Sequence, residues 1–265
     1  MDYDIYNELL ELISPLIVKQ DTNFRDAITP HERLAATLRY LATGRSFEDL
    51  KFSTRISAQS LGHIIPETCR AIYETLAPQY LKVRNYSLTY DDDDDDDDDI
   101  IRTPEGFPFV FVGDEALALR ADFLKPFNSR LLIDQRRIFN YRLSRARRVV
   151  ENTFGILVAR FGVLKSRICL SPEKIDDVVM ACCVLHNFLI VKTSQQYTPQ
   201  GSLDVEDPET HILETGLRPD GANIAAIARG HTRNASTEAK RVRDLYTHCF
   251  NNDGKVPWQD KIILK

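Results

Sequence analysis

Asp91–Asp99 is a run of nine adjacent carboxylates. Like charges at neighbouring positions repel one another and keep their hydration, so the run can join neither a packed core nor a regular element of its own. The fold must therefore be built from the sequence on either side, with 83–106 as a junction. Three readings of the run itself stand side by side. It is a solvated spacer, a binder of a basic partner, or a loose store of divalent cations without the fixed ligand geometry of a defined metal site.

The run also distorts the bulk numbers. Formal net charge is −5, but the nine aspartates account for more than that, and the rest of the chain is mildly basic. With 265 residues, 43% of them hydrophobic, the chain can bury a substantial core, in one large domain or a medium one with a smaller companion. Five scattered cysteines include no Cys-x-x-Cys pair, which argues against a zinc ribbon or knuckle. Adjacent Cys182 and Cys183 in an apolar run read as buried free thiols in a reducing compartment. The acidic start has no apolar signal-peptide region. The most apolar stretch, Val178–Val191, is interrupted by His186 and Asn187 and is too short to span a bilayer, so no membrane association is expected.

Residues 1–82 read as a helical segment. Ile5, Leu9, Leu10, Ile13 and Ile17 have helical spacing. Thr29, Pro30 and Glu32 supply a cap, a first-position proline and an acidic first turn, and Gly44 closes the helix that carries Leu34, Leu38 and Leu41. Ser46–Leu50 reads as a short helix. Ser57 caps a longer one reaching about Leu76, which Pro66 is expected to kink or break. Helix, short helix, turn and longer helix is a helix-turn-helix layout, with Ala58, Gln59, Ser60 and His63 toward a DNA groove. The same spacing suits a plain three-helix packing unit, and only Arg55 and Arg70 lie near to hold phosphate.

Beyond the junction, Phe107–Val112 is aromatic and β-branched and predicts a buried strand, left sharply at Gly113 with Asp114 following. Ala116–Leu124 predicts a short helix. A longer one opens at Tyr141 or Ser144 with the stripe Leu143, Ala146, Val150, Phe154, Leu157 and Phe161, and Glu151 lies at its edge. A second strand is expected within 161–170, and Ser171-Pro172-Glu173 starts a core helix running to about Val191. Residues 196–235 read as loop or disordered. Residues 236–265 read as a final helix and a tail whose Trp258 docks on the core.

Two features carry chemistry. Arg136, Arg137, Arg142, Arg145, Arg147 and Arg148, interleaved with Phe139 and Tyr141, suit a phosphate backbone; a solvated helix face, with Arg147 or Arg148 paired to Glu151, suits the same residues. Asp114 at a strand end and Glu151 on a helix are rigidly placed carboxylates of the kind that hold divalent ions at a scissile phosphate. An Asp after Gly also commonly caps a turn.

The segments Val112-Gly113-Asp114-Glu115-Ala116, Phe139–Leu157 and Ala181-Cys182-Cys183-Val184-Leu185-His186-Asn187-Phe188 resemble the PIF/Harbinger transposases and the nucleases derived from them. Glu32–Ala35, Leu41–Gly44, Glu67-Thr68-Cys69 and Val256-Pro257-Trp258-Gln259 fit the same resemblance. It implies an α/β, largely helical chain: a partial RNase H-like (DDE) domain over 107–195, preceded by a helix-turn-helix-like helical segment. It further implies a DDE triad binding Mg²⁺ or Mn²⁺, with Asp114 as the second acid and Glu151 as the third. DNA is the implied partner, together with a separate DNA-binding partner protein, in the nucleus or also the cytoplasm. His186 and Asn187 match a recurrent family motif that reads as core or site support. The departure lies in 83–106, where the family's first strands and first catalytic Asp, in a Gly-Ala-Ile-Asp-Gly-like motif, are expected and the Asp run stands instead. The expectation is a transposase-derived, divalent-metal-dependent DNA endonuclease family member made inactive by the missing Asp. The alternative is a catalytically dead DNA-binding or protein-interaction relic that uses the arginine cluster.

Overall fold

The computed structural model describes residues 1–21, 23, 26–81, 107–128, 132–207, 213–216 and 235–260. The Asp91–Asp99 run, the junction around it and Arg130 lie outside the described residues. The chain divides into two compact units. The first takes Met1–Tyr86, Thr153–Val205 and Thr215–Ile224; the second takes Ser87–Asn152, Glu206–Glu214 and Ala225–Lys265.

The first unit is helical. Helix α1 (Tyr3–Ile17) starts where the Asp2 carboxylate accepts the Ile5 N–H, and it buries Ile5, Leu9, Ile13 and Ile17 at four-residue spacing. Helix α2 (Pro30–Thr43) opens with a full capping box between Thr29 and Glu32 and closes on Gly44 at φ 64°. Helix α3 (Phe47–Thr54) is capped by Ser46. Helix α4 (Ala58–Tyr80), capped by Ser57, buries Leu61, Ile65, Cys69, Ile72 and Leu76. Gly44 is needed twice over: its backbone is left-handed, and a Cβ there would sit 2.7 Å from the Gly162 carbonyl oxygen. Gly162 belongs to the 3-10 helix Gly162–Lys165 and packs equally tightly on α2.

The long core helix (Pro172–Tyr197, here α6, after α5 below) packs along α4, although it follows Phe107 in the chain. It buries Val178, Ala181, Cys182, Val184, Leu185 and Phe188. Pro66 does not break α4, which runs on from Ala58 to Tyr80. A proline removes the N–H that would satisfy the carbonyl four residues back, here that of Gly62. Lys174 of α6 donates to that carbonyl at 3.3 Å, so the freed acceptor keeps a partner and the helix continues. Arg70 adds a bidentate contact with Asp177 at 3.1 and 2.8 Å. Cys69 and Cys182 are buried free thiols, and burial pushes both up from the ordinary thiol value.

His186 is buried on α6, with Nδ1 2.9 Å from the Tyr197 hydroxyl. Arg160 holds the end of the same helix by donating to the Gln196 and Tyr197 carbonyls. Burial lowers the His186 pKa below 6.5. The unfolded chain therefore takes up a proton that the folded chain refuses, so stability that is full above about 6.5 is lost as pH falls through that value toward the folded pKa. Thermal melts are expected to show falling stability from pH 7.5 to about 5.5. His186→Gln is expected to flatten that slope, and an equal slope in both proteins would contradict this role.

The second unit has a smaller core of Leu119, Leu124, Phe127, Phe139, Leu143, Ala239 and Val242. Strand β1 (Phe111–Val112) pairs in parallel with β2 (Phe123–Leu124), Phe111 opposite Phe123. Helix α5 (Asp134–Arg160) spans the division between the units, and α7 (Thr237–Asn251) starts on a Ser236 cap. Two further two-residue strands are β3 (Val205–Glu206) and β4 (Leu213–Glu214).

Several sequence expectations are corrected here. The strand expected over Phe107–Val112 is limited to Phe111–Val112, and Phe109 and Phe111 are exposed rather than buried. The helix expected over Ala116–Leu124 is a turn leading into β2: Arg120 and Phe123 exchange backbone hydrogen bonds, which fold the segment back beside β1. No strand forms within 161–170; the Leu164 N–H bonds to the Phe161 carbonyl and winds the segment into the 3-10 helix. Helix α5 begins at Asp134, earlier than Tyr141. Of its predicted stripe, Leu143, Leu157 and Phe161 are buried, whereas Ala146, Val150 and Phe154 are exposed. In mid-helix the covered face is that of Tyr141, Arg145 and Arg148.

Candidate acidic site and arginine face

Gly113 ends β1 by donating to the Leu124 carbonyl at 2.9 Å. A Cβ at this position would lie 2.2 Å from the Phe123 ring, so any larger residue would push that ring aside. Asp114 then closes a turn: its side chain accepts the Glu115 N–H at 2.6 Å and its carbonyl accepts the Leu117 N–H at 3.1 Å. These contacts are those of a turn cap. Glu151 lies one turn beyond Arg147 on α5.

The two acids come together around an arginine. Arg147 Nη2 is 2.5 Å from Glu151 Oε1 and 3.9 Å from Asp114 Oδ1. The carboxylates are open to solvent, 65% and 51% exposed for Asp114 and Glu151, while Arg147 is 21% exposed. One guanidinium thus supplies the positive charge between them that a divalent ion would supply in a nuclease site. Among the described residues, no group of three or more His, Cys, Asp or Glu side chains is placed to hold a metal ion. Two carboxylates drawn to one guanidinium do not, as they stand, fit a two-ion centre, which needs carboxylates converging on two ions about 3.5–4 Å apart.

The other arginines are mostly engaged within the second unit. Arg148 Nη1 donates to Glu206 at 2.6 Å, Arg145 Nε lies 3.3 Å from the same carboxylate, and the Tyr141 hydroxyl donates to its other oxygen at 2.8 Å. Arg145 also lies over the Trp258 ring, 5.4 Å from its centroid. Arg142 donates to the Gly254 carbonyl and to Gln259, and stacks 4.8 Å from the Phe250 ring centroid; burial lowers its pKa. Gln259, fully buried, ties the tail back to the Phe250 carbonyl at 2.8 Å. Arg136 is exposed over the rim of Phe127, and exposed Arg137 has only a 3.4 Å contact with Asp134. These two open α5 with their charge facing solvent.

Elsewhere, Gln59 and His63 are exposed on the first turns of α4, with Ala58 and Ser60 partly covered. The family-motif pair is structural: His186 bonds Tyr197, and Asn187 donates to the Tyr80 carbonyl at the end of α4. The sequence pointed to no role for Glu206, and to Gln259 only within the Val256-Pro257-Trp258-Gln259 resemblance. The available signal for Glu206 was an acidic group, Asp204, Glu206 and Asp207, in a chain whose α5 is strongly basic.

Residues 100–187 match the family described as DDE superfamily endonuclease. The chain is similar to "Putative nuclease HARBI1" of Bos taurus, 31% identical over 142 residues, and of Homo sapiens, 35% identical over 142 residues. Each match covers 52% of this chain and 36% of the relative, so the chain spans little more than a third of the length of these curated relatives. No solved structure matches it. The likeness is thus to a DDE superfamily endonuclease domain over residues 100–187, and to part of these putative nucleases. Domains of this superfamily generally use divalent metals. Among the described residues, no helix is long and apolar enough to cross a membrane.

Proposed function

We propose that this chain is a transposase-derived member of the DDE endonuclease family that binds DNA without cutting it. The observation that carries the reading is Arg147 held between Asp114 and Glu151. These acids correspond to the second and third of the family triad, and a guanidinium cannot exchange its place for two metal ions without leaving. β1, β2 and α5 would be the remaining part of an RNase H-like fold whose first strand and first catalytic Asp have no counterpart in 83–106.

The binding half of the reading rests on charge. Outside Asp91–Asp99 the chain is net positive, and α5 carries Arg136 and Arg137 exposed, with Arg142, Arg145, Arg147 and Arg148 further along. Such a helix is attracted to phosphates through release of condensed counterions. A helix-turn-helix role for α2–α4 would place the exposed Gln59 and His63 at base edges, and a separate DNA-binding partner protein would add the affinity this face lacks. A nuclear location follows from the proposed ligand.

The test uses the whole protein with supercoiled plasmid and Mg²⁺ or Mn²⁺, beside labelled duplex DNA in mobility-shift assays. The expected result is shifted mobility that weakens with salt, and no nicking. Nicking abolished by both Asp114→Ala and Glu151→Ala would overturn the reading.

A further inference from the structure

Tyr141, Arg145 and Arg148 stand at successive turns on one face of α5 and converge on a single side chain, Glu206. Its carboxylate is only 5% exposed. One oxygen accepts the Tyr141 hydroxyl at 2.8 Å; the other takes Arg148 at 2.6 Å and Arg145 at 3.3 Å. Two guanidinium groups and a phenol hydroxyl around an oxyanion form the donor set that recognises a nucleic-acid phosphate. A carboxylate presents the same paired, negatively charged oxygens. The segment that delivers it is slight: β3 is two residues long, and Val205, beside Glu206, is exposed. Glu206 is therefore held chiefly by its head group, and a ligand whose oxygens replace those contacts, as a phosphate's can, offsets the cost of stranding the half-buried arginines.

We propose that Tyr141, Arg145 and Arg148 form a preformed phosphodiester site which Glu206 fills as an internal substitute, so that DNA binding and the seating of Glu206 compete. This rests on the DNA-binding reading above and adds to it a defined phosphate site and its built-in competitor. The chain then holds part of its own basic face closed, and engagement with DNA begins at exposed Arg136 and Arg137 before Glu206 is displaced.

The test measures fluorescence anisotropy of a labelled duplex DNA with wild type, Glu206→Gln, and Glu206→Gln combined with Arg145→Gln and Arg148→Gln. Glu206→Gln keeps the side-chain shape and removes the competing charge. It is expected to bind about tenfold tighter at low salt, with the salt dependence steeper by roughly one to two phosphate contacts. The combined variant is expected to lose that gain. Hydrogen exchange on the wild type gives a readout free of mutation: residues 203–207 should exchange faster when DNA is added. Wild type and Glu206→Gln binding DNA with equal affinity and equal salt slope, or exchange at 203–207 unchanged by bound DNA, would overturn this proposal and leave the DNA-binding reading standing. Absence of binding by both proteins would overturn the two together.

Discussion

Phe139→Ala is expected to destabilise the second unit by about 3–5 kcal/mol. Phe139 is fully buried at the centre of the smaller core. Its ring meets Phe127 edge-on at 5.2 Å and lies 5.9 Å from Phe250, so it joins α5, the segment after β2 and α7. Truncation removes those contacts and leaves a cavity between three elements that cannot all close on it. The chain has one tryptophan, Trp258, which belongs to this unit. Its fluorescence therefore follows the unit directly. The urea midpoint of that transition should fall sharply in the variant, and an unchanged midpoint would show that Phe139 is not the keystone of this core.

The second large effect is expected at Glu67. Arg33 is buried on α2, its side chain 5% exposed, and its guanidinium is paired with Glu67 of α4; its Nε has no hydrogen-bond partner. Lys19 approaches the same carboxylate at 2.5 Å. Removing one partner of a buried pair strands the other charge, at about 3–5 kcal/mol when both are fully buried. Glu67 is 39% exposed, so solvent relieves part of that, and Glu67→Ala should cost about 2–3 kcal/mol. Replacing Arg33 by Met in the same chain should recover most of the loss, because the stranded charge is then gone. Additive losses in the double variant would contradict the argument. Burial raises the Glu67 pKa, but the Lys19 hydrogen bond and the Arg33 charge outweigh it, and the carboxyl ends below its ordinary 4.5. The contribution is therefore present above that value and lost as pH falls through the lower folded pKa.

Local signals in the sequence carried well wherever one residue's backbone need decided the outcome. Thr29, Pro30 and Glu32 specify a capping box, Ser57 a helix start, and Gly44 a left-handed stop, because each satisfies a terminal group within a few residues. Asp114 and Glu151 could be named as a pair from motif resemblance, and the fold does bring them to one guanidinium. The failures have a common cause in partners far along the chain. Pro66 read as a possible helix break because nothing nearby announces that Lys174 will take the Gly62 carbonyl. Phe107–Val112 and 161–170 read as strands on residue type, yet a strand needs a neighbour to pair with. Among the described residues, the only neighbour for the first is β2, two residues long. The α5 stripe failed in mid-helix because Glu206, from a stretch read as loop, draws Tyr141, Arg145 and Arg148 onto the covered face. The arginine cluster was legible as charge. Its internal partners were not, since Glu206 and Gln259 lie 58 and 117 residues from the arginines they meet.

The proposed neutralisation of Asp114 and Glu151 is by Arg147 and not by a pair of divalent ions. Its most direct measurement is Mn²⁺ binding to the intact protein, with free ion followed by electron paramagnetic resonance, in wild type, Asp114→Ala and Glu151→Ala. Any weak, diffuse uptake by Asp91–Asp99 would be common to all three proteins. Three superimposable titrations with no stoichiometric site are expected. A stoichiometric Mn²⁺ site in the wild type that disappears in both variants would contradict it.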